Sequence, residues 1–137
     1  MSLTRKAAVV AITSVTLASG LAAAGGAAAS AQTPKAVVLK ATATVRHQLA
    51  DAFWNHSTSF KRSKVDGPTQ VRYGRLGNVY WAIGGIGIKG NPVSYQDGPH
   101  VWRKVGKGHW AYRGDTGGCL EKVPRAMLKA WKVERGC

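Results

Sequence analysis

Thiols, imidazoles and carboxylates are the side chains here that could carry chemistry, and they are few. Cys119 and Cys137 are the whole thiol inventory. The histidines, His47, His56, His100 and His109, show no metal-ligand spacing, so neither a metal nor a cofactor is expected. The six carboxylates are Asp51, Asp66, Asp97, Asp115, Glu121 and Glu134. Asp66, Asp97 and Asp115 stand in glycine-containing turns, where such side chains bond the local backbone. Asp51 and Glu134 fall on or near helix surfaces. A hydrolytic pair needs two acids facing one cleft, and no spacing singles out such a pair.

Gly114-Asp115-Thr116-Gly117-Gly118 resembles the segment around the nucleophile of chymotrypsin-like proteases, with Thr116 in the nucleophile's place. Those enzymes need two barrels and an upstream His and Asp in defined contexts, which this chain lacks. The glycines are better read as turn residues. No catalytic residue is assigned and no enzyme activity is expected.

Charge and aromatic rings are more informative. The chain carries 20 Lys+Arg against six Asp+Glu, a formal charge of +14. Five Trp, four Tyr and two Phe rule out a disordered polycation. Basic and aromatic residues interleave at Arg72-Tyr73, Trp102-Arg103-Lys104 and Trp110 to Arg113. Rings that stack and cations that follow anions would suit a binding surface. Its candidate members are Arg72, Trp102, Arg103, Lys104, Lys107, Trp110, Tyr112 and Arg113. The competing reading is that alternation buries the rings in a small antiparallel core and leaves the cations outside. Trp102, close to Trp110 and Tyr112, is the position where the two readings diverge most.

These residues need elements to hold them. From Ala36 to Asn55, Val38, Val45, Leu49, Ala52 and Phe53 fall at helical spacing and predict an amphipathic helix. Asp66-Gly67-Pro68 is a turn. Strands are expected over Thr69–Gly74 and Val79–Ile83, joined by a connection at 75–78, with Gly84-Gly85 bending or bulging the second. Val101–Val105 and His109–Arg113 flank Gly106-Lys107-Gly108 as a hairpin. A three-residue loop places Trp102 opposite Tyr112 and Trp110 beside Lys104; a two-residue turn shifts that register by one. Pro124 opens a second helix, with Val123, Met127, Ala130 and Trp131 as its stripe. The prediction is an α+β fold: an N-terminal helix, an antiparallel sheet of four or five strands packed on one side by helices, and a C-terminal helix tied by one disulfide. A Cys119–Cys137 bridge closes a loop of about 19 residues and stabilises by roughly 3 kcal/mol.

Residues 1–31 read as a signal peptide: Arg5 and Lys6, an uncharged stretch to about Ala24, then small residues with cleavage after Ala31 or, second, Ala29. No cysteine precedes Cys119, so a lipid anchor at the cut is excluded. The remainder, 32–137, is expected as one small basic secreted domain, extracellular and monomeric, without a stable membrane anchor. It keeps 18 Lys+Arg against the same six acids. Asn55-His56-Ser57 matches a glycosylation acceptor, set aside because the alanine-rich leader points to a bacterium.

The segments Tyr80-Trp81-Ala82, Asp97 to Lys104, Trp110 to Pro124 and Ala130-Trp131 resemble small secreted actinomycete proteins of uncharacterised function, with a VWRK…W…GDTGG…VP…AW pattern. The resemblance implies export and a shared fold and carries over no catalytic residue. The expected function is non-catalytic binding of an anionic extracellular polymer or acidic protein, with no specific nucleic acid as partner. The alternative is a secreted inhibitor of an exported enzyme, presenting Gly90 to Pro99 or Gly114 to Gly118.

Overall fold

The computed structural model describes residues 33–137, and the leader with Ala29 and Ala31 lies outside them. The chain runs β1 (Ala36–Leu39), α1 (Ala43–His56), β2 (Val65–Leu76), β3 (Val79–Ile88), β4 (His100–Val105), β5 (Ala111–Tyr112) and α2 (Arg125–Trp131). The strands form one antiparallel meander in the order β1-β2-β3-β4-β5. Short 3₁₀ turns at Arg62–Lys64 and Pro92–Tyr95 join the longer elements.

The first helix begins later than periodicity predicts. Ala36-Val37-Val38-Leu39 is a strand on β2, pairing Ala36 with Leu76 and Leu39 with Tyr73. Its β-branched residues suit a pleated edge. The helix starts only where Thr42 can cap it, accepting the Val45 N–H at 3.2 Å. Leu49, Ala50, Ala52 and Phe53 form its buried face.

The β2–β3 hairpin is longer and tighter than expected. It turns on Gly77-Asn78 alone, with φ +58° at Gly77. The irregularity expected at Gly84-Gly85 lies across from them, in register shifts of β2 around Thr69. The glycines permit this approach: a Cβ at Gly84 would stand 2.8 Å from the Thr69 carbonyl oxygen.

The helices do not share one side of the sheet. Leu49, Ala52 and Phe53 pack with Tyr73, Ala82, Ile86, Trp102 and Trp110 on one face. Met127, Leu128 and Trp131 pack with Ile83 and Val101 on the other. The cause is in β3 and β4, where Ala82 and Trp102 point one way and Ile83 and Val101 the other, so both faces need cover. Strand β2 clasps α2 directly: Trp131 Nε1 donates to the Tyr73 carbonyl and Arg72 Nη1 donates to the Trp131 carbonyl, both at 3.2 Å.

Cys119 and Cys137 form the disulfide, with Cα atoms 5.4 Å apart. Beside it the Leu120 N–H donates to the Arg135 carbonyl at 2.8 Å. Helix α2 ends at Lys132 in the left-handed region, φ +55°, which turns the tail back towards Cys119. None of the helices among the described residues is long and apolar enough to cross a membrane.

Candidate functional site

The β4–β5 hairpin adopts the register in which Trp102 faces Tyr112 and Arg103 faces Ala111. This places Lys104 beside Trp110, and its Nζ stands 4.8 Å from the Tyr80 ring centre and 5.2 Å from that of Trp110. Across the sheet, Arg75 pairs with Tyr80 and Tyr80 with Lys104. A row of alternating cation and ring thus crosses three strands at Arg75, Tyr80 and Lys104 and ends at Trp110, just before β5. Cation–π attraction fixes Lys104 in this row.

The row ends in a cleft of about 480 Å³ between α1 and the hairpin tip. Helix α1 supplies Gln48, Asp51, Ala52 and Asn55; the hairpin supplies Lys104 and Lys107 through Trp110. Positions 48, 51 and 55 recur at helical spacing and so share one face. Asp51 is already engaged, accepting from Arg62 Nε at 2.7 Å and lying 3.4 Å from His47 Nε2. Both ion pairs among the described residues fall on Asp51, so Lys104 and Lys107 have no carboxylate partner there.

Trp110 is 9 % exposed, and its Nε1–H is buried without an acceptor among the described residues. Three other indoles are satisfied: Trp54 donates to the Phe60 carbonyl, Trp102 to that of Leu49 and Trp131 to that of Tyr73, at 2.8, 3.0 and 3.2 Å. An orphaned buried donor costs about 1–3 kcal/mol, so Trp110 stands apart.

The structure divides the eight candidate surface residues. Lys104, Lys107 and Trp110 meet in the cleft. Trp102 is completely buried and Tyr112 half-buried against α1, so neither ring offers an open stacking face. Arg72 and Arg103 are on the opposite side of the sheet, Arg103 over Trp81 at 5.7 Å. Arg113 is exposed just past β5, its carbonyl accepting from Lys122 Nζ at 2.7 Å.

Sequence reasoning missed Gln48, Asn55, His109 and Tyr80 as parts of one site. Periodicity shows that 48 and 55 share a helix face, but only the fold shows that this face meets the hairpin tip.

His100, His109, Asp97 and Asp115 fall in two places. His109 lines the α1 cleft, whereas His100 is buried and bonds Tyr112 Oη through Nδ1 at 2.5 Å. Burial holds His100 below the usual imidazole range, opposed by Asp115 and Asp97. Burial likewise raises the Tyr112 phenol, with Asp115 and Asp97 adding to it. Glu121 Oε1 lies 3.9 Å from Cys137 Sγ, but with both sulfurs in the disulfide that group offers no thiolate to a metal.

The two loops considered for inhibition are both braced. In the first, Ser94 Oγ accepts from the Ile88 N–H and donates to the Asn91 carbonyl, and Tyr95 Oη donates to Asp66 at 2.7 Å. That hydrogen bond raises the Tyr95 phenol. Residues Pro92–Tyr95 are helical and do not present the extended backbone that strand-like docking uses. In the second, the Thr116 and Gly117 N–H groups both donate to the Asp97 carbonyl.

No protein-family model, curated protein or solved structure matches this chain.

Proposed function

We propose that this protein is a secreted, non-catalytic binding protein that engages an anionic extracellular polymer through the α1–hairpin cleft and the basic row leading into it. The observation that carries the reading is Lys104, whose ammonium is fixed over two rings at the cleft wall with no carboxylate partner among the described residues. A cation positioned in this way contributes attraction without first having to order a flexible side chain. The surplus of basic residues over the whole chain supports it by drawing polyanions to the surface, an effect that salt screens.

Retention on immobilised anionic wall polymer and on heparin, measured across a salt gradient, tests the proposal. Elution at moderate salt, and earlier elution of a Lys104→Gln variant, is the expected result. Retention that survives molar salt, or that Lys104→Gln leaves unchanged, overturns it.

A further inference from the structure

We propose that the cleft between α1 and the β4–β5 hairpin holds a single anionic sugar unit, its oxyanion at Lys104 and Lys107, and its hydroxyls at Gln48 and Asn55. This deepens the proposed binding role and rests on it.

Three observations converge. The volume of about 480 Å³ falls within the small-ligand range of about 300–1,000 Å³ and is large enough for a hexose carrying a charged substituent. Lys104 and Lys107 bring two charges without carboxylate partners among the described residues, while the one acid of the wall, Asp51, is paired with Arg62. Gln48 and Asn55 bring two side-chain amides, which both donate and accept and so match hydroxyls. Trp110 forms the cleft wall beneath Lys104, so its indole N–H signal reports on occupancy of the cleft.

The ring face of Trp110 is occupied by Lys104, so the indole offers no open stacking platform there. This argues for an anionic sugar over a neutral one, because neutral sugar recognition draws on an open aromatic face. A phosphate ester and a uronate carboxylate both supply such an oxyanion, and the probes below separate these sources.

The test is a titration of ¹⁵N-labelled protein with glucose 6-phosphate, glucuronic acid, glucose and inorganic phosphate, following the indole N–H signals. Loss of one signal in Trp110→Phe assigns Trp110. Glucose 6-phosphate, glucuronic acid or both should move that signal in a saturable way, and the tighter ligand identifies the source of the oxyanion. Glucose and inorganic phosphate should each bind about tenfold or more weakly than that ligand, because each lacks one half of the contacts. Lys104→Gln should weaken the anionic sugar about tenfold. Asn55→Ala, at an exposed helix position, should weaken it about threefold with thermal unfolding unchanged.

An unmoved Trp110 signal with both anionic sugars overturns the proposal, as does inorganic phosphate binding as tightly as the sugar phosphate. If the polymer is still retained in a salt-dependent way when the sugars fail, the sugar site alone is wrong. If retention fails too, the binding role falls with it.

Discussion

Replacing Trp102 by Phe should cost about 2–3 kcal/mol of stability, because this ring is a core element and not a displayed one. Trp102 is fully buried between α1 and the sheet, with Tyr112 at 5.8 Å and His100 at 6.3 Å between ring centres. Its Nε1 donates to the Leu49 carbonyl at 3.0 Å, joining β4 to α1. Phenylalanine removes that bond, worth about 1 kcal/mol net. The Leu49 carbonyl keeps its helical role and is not orphaned. The smaller ring also gives up buried area and leaves a gap, for about a further 1–2 kcal/mol. Urea unfolding followed by far-UV circular dichroism is the assay. With a slope of about 1–1.5 kcal/mol/M for a domain of this size, the midpoint should fall by roughly 2 M at unchanged slope. The matched control is Trp81→Phe: Trp81 is half-buried under Arg103 and should cost under about 1 kcal/mol. Equal, small effects at the two positions would refute the assignment of Trp102 to the core.

Three further outcomes follow from particular contacts. The double substitution of Cys119 and Cys137 by Ser should lower stability by about 3 kcal/mol, from the freed loop, in urea melts under non-reducing conditions. Gly74→Ala should destabilise by about 1–3 kcal/mol in the same assay, since its Cβ would stand 2.5 Å from both the Val37 carbonyl oxygen and Met127 Cε, and the backbone atom cannot yield cheaply. The His100 imidazole is held low chiefly by burial, so the unfolded chain takes up its proton first. Its contribution is therefore intact above the ordinary histidine value of about 6.5 and is lost as pH falls below it. Thermal melts between pH 8 and pH 5 should show this decline, and His100→Gln should flatten it.

Local pattern carried the β4–β5 hairpin into the sequence legibly. Its alternation and its Gly-Lys-Gly loop give two registers, and the one adopted puts Lys104 between Tyr80 and Trp110. Helix α2 and the disulfide were equally readable, from the Met127–Trp131 stripe and from a cysteine pair with one possible partnership. Strand β1 was not. Val38 falls in phase with the helix that follows, and what separates strand from helix there is the Thr42 cap and a free edge on β2, a tertiary feature. Placement of α2 on the second face had a local signal that one-sided packing overlooked: β3 is apolar at Ala82 and Ile83 in succession, and one covered face cannot bury both. The cleft was half legible. Lys104, Lys107 and Trp110 follow from the hairpin, whereas Gln48 and Asn55 join them only because α1 crosses above it.

The binding account is tested most directly by the salt dependence of polymer affinity in paired variants. Lys104→Gln/Lys107→Gln removes the two cleft cations, and Arg72→Gln/Arg103→Gln removes two from the other side of the sheet. Affinity for one anionic polymer should be measured over a range of salt concentrations for both pairs and for the unmodified protein. The cleft pair should lower affinity by at least about tenfold and reduce the slope of log affinity against log salt by about one to two, while the opposite pair should change both much less. Equal losses from the two pairs, or a loss confined to Arg72 and Arg103, would contradict it.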